Sequence, residues 1–261
     1  MFTSNPYADF SASISPSIMQ TYLIIMMLLV VVGTIYDFLE KKSARYFFQN
    51  WRSSRQKGTD NVGGGKMLSI AAKTLLIDVA ASGEFCSLRR RIAHLLTMYG
   101  FLAYVISTVM MVFLYPTPEV PAPLILPQLW AIGAIMICAG GYWFWFFIRV
   151  DVAAEGSSPF RVMQADIFVL SLLSSATFAL VWACLQAQGH SWANIFFALH
   201  IFGTTVLFGS VPWSKFAHMF FKPAAAFEKR VSVADGSRNN LPAPADKPET
   251  LGRAERQTRH Y

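Results

Sequence analysis

The chain has 261 residues, of which 54% are hydrophobic and only 14% are charged. Soluble domains carry about 25% charged residues, so this composition predicts a protein surrounded largely by lipid. The net charge is +7, but it is concentrated in a few segments between apolar stretches, which argues against a nucleic-acid-binding role. The three cysteines form no CxxC pair, so the chain offers no iron–sulfur or zinc framework of its own.

Five apolar stretches each approach the length of about 20 residues that a helix needs to cross a bilayer. The first lacks the basic start and the small-residue cleavage site of a signal peptide, so we expect it to be retained. The sequence therefore predicts an all-α integral membrane protein, a bundle of five transmembrane helices. The predicted spans cover residues 17–38, 93–115, 127–148, 164–186 and 192–213.

The 22 Lys and Arg residues set the predicted orientation of the spans. Eleven lie in the segment 39–92, two lie between the third and fourth spans, and nine follow residue 214. The N-terminal segment and the loops 116–126 and 187–191 contain none. Because cytoplasmic segments collect positive charge, we expect the N-terminus outside and the C-terminus in the cytoplasm.

Two segments are expected to lie outside the bilayer. The loop 39–92 is basic, and within it residues 67–82 are predicted to form a helix at the cytoplasmic surface or beneath a partner. Residues 226–261 are rich in proline, alanine and charge, which predicts a disordered cytoplasmic tail. The predicted membrane domain therefore comprises residues 1–225.

Three of the five histidines lie in or beside the second and fifth predicted spans. His94 comes three residues after Arg91. His218 comes three residues after Lys215, so each histidine lies about 5 Å along its helix from a cytoplasmic-side cation. The two helices are antiparallel, and histidines at one depth can hold a haem iron from both faces. His200 precedes His218 by eighteen residues, or five helical turns, which predicts one shared helix face.

Two other interpretations remain open for each histidine. A membrane histidine often hydrogen-bonds to a neighbouring helix, and one at the interface is often simply solvated. The matched depth of His94 and His218 favours haem ligation, since ionisable residues within membranes are functional candidates. Arg91 and its basic neighbours are then candidate partners of the haem propionates.

Weaker candidates lie elsewhere in the chain. Asp166 and Arg161 flank the fourth span, where they can pair with Arg149, as an interfacial ion pair, or with propionates. Tyr104 contributes to a polar face of the second span, for which helix packing is favoured over contact with a quinone. No Ser–His–Asp set and no paired catalytic carboxylates are evident in the sequence.

The segment VPWSKFAHMFFKP, residues 211–223, resembles the end of the fifth helix in the gamma subunit of respiratory nitrate reductase. The spacing of His200 and His218 is similar to that family, and so is RRRIAHLLTMYGF, which places His94 at the start of the second helix. The resemblance covers about residues 17–225 and extends to the wider group of di-haem cytochrome b subunits. Within that group, the ending FAHMFFKPAAAFEKRV looks most like the membrane anchor of adenylylsulfate reductase in sulfur-oxidising bacteria.

The resemblance implies that His94 and His218 ligate a haem b on the cytoplasmic side, and that His200 is one ligand of an outer haem. The family carries a second histidine ten residues after the first on its second helix, where this chain has Tyr104. We therefore expect the outer haem to be lost or altered. One haem b is the expected count, with two or none as the alternatives.

The resemblance implies electron transfer in a bacterial inner membrane, with the N-terminus in the periplasm. The chain would pass electrons through haem b between the quinone pool and a cytoplasmic iron–sulfur and flavin oxidoreductase, expected to be adenylylsulfate reductase. The alternative is a haem-free anchor that only recruits this oxidoreductase. A transporter is disfavoured, because the sequence shows no internal repeat and almost no charge within the spans.

Overall fold

The structure, a computed structural model, describes residues 2–40, 43–58, 60–83, 85, 87–149, 162, 166–213 and 218–237. A few side chains within these ranges, that of His218 among them, are not described. The described residues form helices and no strand. In chain order the helices are α1 (Pro6–Asp9), α2 (Pro16–Glu40), α3 (Ser43–Lys57), α4 (Gly64–Lys73) with a π-helical turn (Thr74–Ala80), α5 (Leu88–Leu114), α6 (Ile125–Trp143) with a π-helical end (Phe144–Ile148), α7 (Ile167–Ala187), α8 (Ala193–Gly209) and α9 (His218–Ala234).

Four of these helices, namely α2, α5, α6 with its π-helical end, and α7, are long and apolar enough to cross a membrane. A helix satisfies its backbone hydrogen bonds internally, so an apolar helix can lie in hydrocarbon without unpaired polar groups. The prediction of an all-α, multi-pass membrane protein is confirmed at this level. The first four predicted spans correspond closely to these four helices.

The fifth predicted span, 192–213, is shorter in the structure. Helix α8 has 17 residues and ends at Gly209, and a turn of 3-10 helix follows at Val211–Trp213. Pro212 lacks the backbone N–H that a continuing α-helix needs, and its ring clashes with the preceding turn. The helix therefore ends before the predicted boundary.

This early end corrects the predicted relation between His200 and His218. His200 lies in α8, whereas His218 is the first residue of α9. The two histidines belong to separate helices, so a separation of eighteen residues does not place them on one helical face. A helix end at Pro212 was not predicted by spacing alone, because spacing assumes that the helix continues.

Helices α5 and α6 pack so closely that their backbones touch at glycines. A Cβ atom on Gly133 would lie 2.7 Å from the carbonyl oxygen of Gly100 and 2.7 Å from the backbone nitrogen of Tyr104. A Cβ atom on Gly140 would lie 2.6 Å from the carbonyl oxygen of Ala93. Small residues allow this close approach. In a bilayer the hydrophobic effect does not drive helices together, so van der Waals contact at such residues stabilises the helix pair.

The short helix α1 covers one end of the bundle. The side-chain amide of Asn5 donates a hydrogen bond to the carbonyl oxygen of Tyr115, the residue after α5, at 2.8 Å. Tyr7 packs edge-on against Trp130 of α6 and Trp182 of α7, with ring centroids 6.2 and 5.2 Å apart. Helix α1 therefore ties three bundle helices together and closes this end.

The other end of the bundle carries a group of helices that we call the surface layer: α3, α4 with its π-helical turn, and α9. Arg230 of α9 donates to both carboxylate oxygens of Asp78 at 2.8 and 2.9 Å. The hydrogen-bonded carboxylate raises the pKa of Arg230. Trp51 of α3 stacks on Phe227 of α9, with ring centroids 5.8 Å apart. The helix predicted over 67–82 is present, and α9 packs against it.

Helix α9 also corrects the predicted tail. The sequence predicted disorder over residues 226–261, but α9 continues to Ala234. The carbonyl oxygen of Asp235 then accepts a hydrogen bond from the backbone N–H of Asp60 at 3.1 Å. Packing against α3, α4 and the π-helical turn thus stabilises a helix that was not predicted from the composition of the tail. Residues 238–261 of the predicted tail lie outside the described residues.

An ion pair lies where α6 ends and α7 begins. Arg149 Nε donates to Asp166 Oδ1 at 2.7 Å, and a second guanidinium nitrogen contacts Oδ2. The ring of Trp145 lies 4.2 Å from the guanidinium carbon. The pairing of Asp166 with Arg149, one of the predicted alternatives, is therefore confirmed. Arg161, the other predicted participant, lies outside the described residues.

Candidate functional site

His94 lies in the second turn of α5, next to the surface layer. Its Nδ1 atom is 3.1 Å from Ser82 Oγ, which in turn is 3.5 Å from the carbonyl oxygen of Val79. Because a carbonyl only accepts, Ser82 Oγ is the donor when it bonds to Val79, and its oxygen then accepts from the Nδ1–H tautomer of His94. In a neutral imidazole this places the lone pair of His94 on Nε2.

Ser82 has an unusual backbone conformation. Its φ is +48°, and no other non-glycine residue among those described has a positive φ. A residue with a Cβ atom in this left-handed region is strained by about 1–2 kcal/mol. Such strain collects at functional sites, and here it positions the buried hydroxyl that contacts His94.

Arg91, the predicted partner of haem propionates, lies one turn before His94. Its Nε atom donates a hydrogen bond to the carbonyl oxygen of Ala81 at 2.7 Å. This bond ties the start of α5 to the turn that precedes Ser82. Arg91 is therefore fixed beside His94, and its Nε–H is engaged by the carbonyl oxygen of Ala81.

The start of α9 lies close to His94. The ring of Phe85 packs on His94 with centroids 4.9 Å apart, and the Lys222 ammonium lies 5.8 Å from the centre of the Phe85 ring. Lys222 comes one helical turn after His218, so both belong to the same end of α9. The side chain of His218 itself lies outside the described residues.

His200 is buried in α8 and held by the neighbouring helix α7. Its Nδ1 atom is 3.1 Å from the carbonyl oxygen of Ser175 and 3.2 Å from Ser175 Oγ. Ser175 Oγ is 2.7 Å from Thr204 Oγ1, which donates to the carbonyl oxygen of His200 at 2.8 Å. His200 Nδ1–H therefore donates to Ser175, the Ser175 hydroxyl donates to Thr204 Oγ1, and the Thr204 hydroxyl donates to the carbonyl oxygen of His200. Nε2 of His200 keeps its lone pair and has no hydrogen-bond partner in the described part of the chain.

His200 lines a cavity of about 380 Å³ between α2, α5, α7 and α8. Sites for small molecules have volumes of roughly 300–1,000 Å³. The cavity wall is largely apolar. Its half nearer α1 includes Tyr7, Tyr104 and His200, whereas Val31 and Leu207 are typical of the other half. We call this space the central cavity.

Tyr104 lines the central cavity together with His200. Its ring stacks on Trp130 with centroids 5.5 Å apart, and Trp182 stacks parallel to the His200 ring at 6.1 Å. Trp130 and Trp182 meet edge to face. The structure thus brings Tyr104 and His200 together, and it places His94 elsewhere, beside the surface layer.

Three features of these sites were not predicted: Ser82, Ser175 and the central cavity. Ser175 is one of several hydroxyl residues in its span, with Ser171, Ser174 and Thr177, so the sequence does not single it out. The described residues contain no group of three or more His, Cys, Asp or Glu side chains that would hold a metal ion directly. Ligation of a haem iron needs one side chain on each face, so this finding does not bear on haem.

Comparison with known proteins gives one informative likeness. Citrate utilization protein B of Escherichia coli is 30% identical to this chain over 161 residues, which are 58% of this chain and 41% of that protein. The chain therefore spans less than half the length of this relative. No protein-family model matches the chain, and no solved structure matches it.

Proposed function

We propose that the chain is a membrane electron-transfer subunit, which links a cytoplasmic iron–sulfur and flavin oxidoreductase to the quinone pool through one haem b. The observation that carries the proposal is the setting of His94, whose Nδ1 is held by Ser82. Metal-binding histidines usually have their other ring nitrogen hydrogen-bonded in this way, which fixes the tautomer and the ring orientation. Nε2 of His94 is the proposed first ligand of the iron.

His218 is the proposed second ligand. Support comes from Lys222, one turn further along α9, which lies near the Phe85 ring that packs on His94. This contact between α9 and the ring that packs on His94 supports the proposal that histidines on α5 and α9 share one iron. A bound haem supplies a one-electron carrier. Its anionic propionates suit a site with cations such as Arg91 and Lys222.

The proposed topology has five spans, of which α8 is the fifth. Its 17 residues extend over roughly 26 Å, slightly less than the hydrocarbon thickness of about 30 Å, which local thinning of the bilayer accommodates. The positive charge of segment 39–92 then lies in the cytoplasm and the N-terminus outside, in a bacterial inner membrane. His94 is on the cytoplasmic side, and α1 is on the outer side.

The surface layer is the proposed docking face for the soluble partner. Its exposed basic side chains attract an acidic protein surface. Adenylylsulfate reductase is the first candidate partner, through the resemblance to its membrane anchor. The likeness to citrate utilization protein B favours a second candidate, a soluble protein of citrate utilization. The described basic residues of this layer that are exposed are Arg45, Arg52, Arg55, Lys66, Lys73, Lys222 and Lys229.

A haem-free membrane anchor is the second candidate function. The same basic face recruits the partner in this case, but His94 and His218 have no metal to bind. The two functions therefore differ in haem content and agree in partner recruitment.

Haem content measured by the pyridine haemochrome assay tests the proposal. We expect about one haem per purified chain and much less in His94→Ala or His218→Ala, because each substitution removes one of the two proposed iron ligands. The matched control is His190→Gln in the exposed loop before α8, where Nδ1 accepts only a backbone hydrogen bond from Trp192. This variant is expected to keep its haem.

Wild-type protein that contains no haem, yet still brings its soluble partner to membranes, would contradict electron transfer and establish the anchor. Retention of haem by both His94→Ala and His218→Ala would place the iron elsewhere in the chain.

A further inference from the structure

The central cavity has no charged lining. The described residues around it include no Lys, Arg, Asp or Glu. A haem carries two propionates and a phospholipid carries a phosphate, and either charge would be buried here without a partner, at a cost of several kcal/mol. The absence of charged side chains from the described lining therefore favours a neutral ligand.

The half of the cavity nearer α1 offers hydrogen-bonding groups that have no close partner. Tyr7 and Tyr104 are only 7% and 8% exposed. Neither hydroxyl has a partner at good hydrogen-bond geometry among the described residues, and the two tyrosines have only longer contacts with each other and with Thr108 and Ser175. Nε2 of His200 is an acceptor in the same half. An unpaired buried polar group costs about 1–3 kcal/mol, so these three groups favour a ligand that accepts from the tyrosines and donates to the histidine.

The cavity also reaches the lipid-facing side of α2. Met27 and Val31 line it, and they are 46% and 54% exposed on the outer surface of the bundle. An apolar chain bound in the cavity can therefore extend past α2 into the hydrocarbon of the bilayer. A phosphate-free lipid with a polar ring at one end has this shape and polarity.

We propose that the central cavity binds an isoprenoid quinone, with its ring in the half closed by α1 and its tail beside α2. The hydroxyls of Tyr7 and Tyr104 donate to a carbonyl oxygen of the oxidised ring. Nε2 of His200 accepts a hydroxyl hydrogen of the reduced ring. The redox role of this quinone rests on the proposed function, whereas its binding does not require haem.

Direct binding to the purified full-length chain in detergent tests the site. Ubiquinone-1 and menadione are the probes, and tryptophan fluorescence is the signal, because Trp130 and Trp182 adjoin Tyr104 and His200. We expect saturable quenching. Tyr104→Phe is expected to weaken binding about tenfold through loss of one buried hydrogen bond, and the double variant with Tyr7→Phe to weaken it further.

The matched control is Tyr142→Phe, because this tyrosine hydrogen-bonds to Thr177 at 2.9 Å and does not line the cavity. Its affinity is expected to equal that of the wild type. Absence of saturable quenching with both probes, or equal affinity in wild type and in the double Tyr7→Phe, Tyr104→Phe variant, would overturn the proposal. A second haem that His200→Gln removes would also overturn it, since the cavity would then be a haem site.

Failure of this site is distinguishable from failure of the proposed function. Protein that lacks haem but binds ubiquinone-1 contradicts electron transfer and supports the cavity. Protein that contains haem and binds neither probe contradicts the cavity alone.

Discussion

His94 and His200 are oriented in the same way but have opposite surroundings. In each, Nδ1 lies within hydrogen-bond distance of a serine hydroxyl. In the tautomer that donates from Nδ1, the lone pair is on Nε2. Around His94 lie Arg91 and Lys222 together with the helices of the surface layer, whereas the cavity beside His200 has no charged lining residue in the described structure. One imidazole arrangement thus suits an anionic metal cofactor at one end of the bundle and a neutral ligand within it. The surroundings, rather than the histidine, select the ligand.

The two histidines also differ in how firmly they are held. His200 Nδ1 has two acceptors on Ser175, the carbonyl oxygen and the hydroxyl. His94 Nδ1 has the hydroxyl of Ser82, a residue strained at φ +48°. The orientation of His200 therefore follows from the packing of α7 on α8, whereas the serine that contacts His94 belongs to a strained turn.

The largest effect is expected where the backbones of α5 and α6 touch. Gly133→Ala places a methyl group 2.7 Å from the backbone nitrogen of Tyr104, and Gly140→Ala places one 2.6 Å from the carbonyl oxygen of Ala93, beside His94. Each is expected to lower stability by about 1–3 kcal/mol through overpacking. Gly133→Ala is also expected to weaken quinone binding and to retain haem. Gly140→Ala is expected to lose haem and to bind quinone as the wild type does. Thermal unfolding, fluorescence quenching and the haemochrome assay measure the three quantities.

The control for both substitutions is Gly209→Ala, since a Cβ atom on Gly209 meets no other atom within 4 Å. It is expected to change neither site. Equal losses of haem and quinone from Gly133→Ala and Gly140→Ala would show that the two sites are not independent.

A smaller effect is expected at the strained turn beside His94. Ser82→Ala and Ser82→Gly both remove the hydroxyl that contacts Nδ1, so both are expected to retain less haem than the wild type. Glycine adopts positive φ without steric cost, so Ser82→Gly should be more stable than Ser82→Ala by about 1 kcal/mol. Haem content and chemical unfolding of the two variants separate the hydrogen bond from the strain. If Ser82→Gly retains haem as well as the wild type, the hydroxyl does not orient His94.

The four long spans were predictable because an apolar run of this length has few other structures open to it. The end of α8 at Gly209 was not, since the sequence stretch stays apolar up to Trp213 and only the local effect of Pro212 stops the helix. The extension of α9 to Ala234 was missed for the opposite reason. The predicted tail as a whole, residues 226–261, is rich in proline and charge, and the contacts that stabilise α9, such as Trp51 on Phe227, come from distant parts of the chain.

The candidate site was predicted unevenly. His94, His200 and Tyr104 were found because polar groups stand out in apolar spans. That Tyr104 and His200 line one cavity depends on the packing of four helices, which spacing in a single sequence does not contain. The contact of Ser82 with His94 depends on a positive φ, a backbone conformation that a serine in the sequence does not predict. The haem ligation of His94 and His218 remains a prediction.

The smallest effect is expected at Ser175, the counterpart of Ser82. Ser175→Ala removes the hydroxyl, but the carbonyl oxygen of residue 175 still accepts from His200 Nδ1 at 3.1 Å. We therefore expect less than about 1 kcal/mol loss of stability and a change in quinone affinity of less than roughly threefold. The matched control is Ser171→Ala, one turn earlier on α7, where the hydroxyl bonds only to backbone carbonyls of its own helix. If Ser175→Ala abolished ubiquinone-1 binding while Ser171→Ala did not, His200 would depend on the hydroxyl of one serine. The contrast between a histidine held by helix packing and one beside a strained turn would then fail.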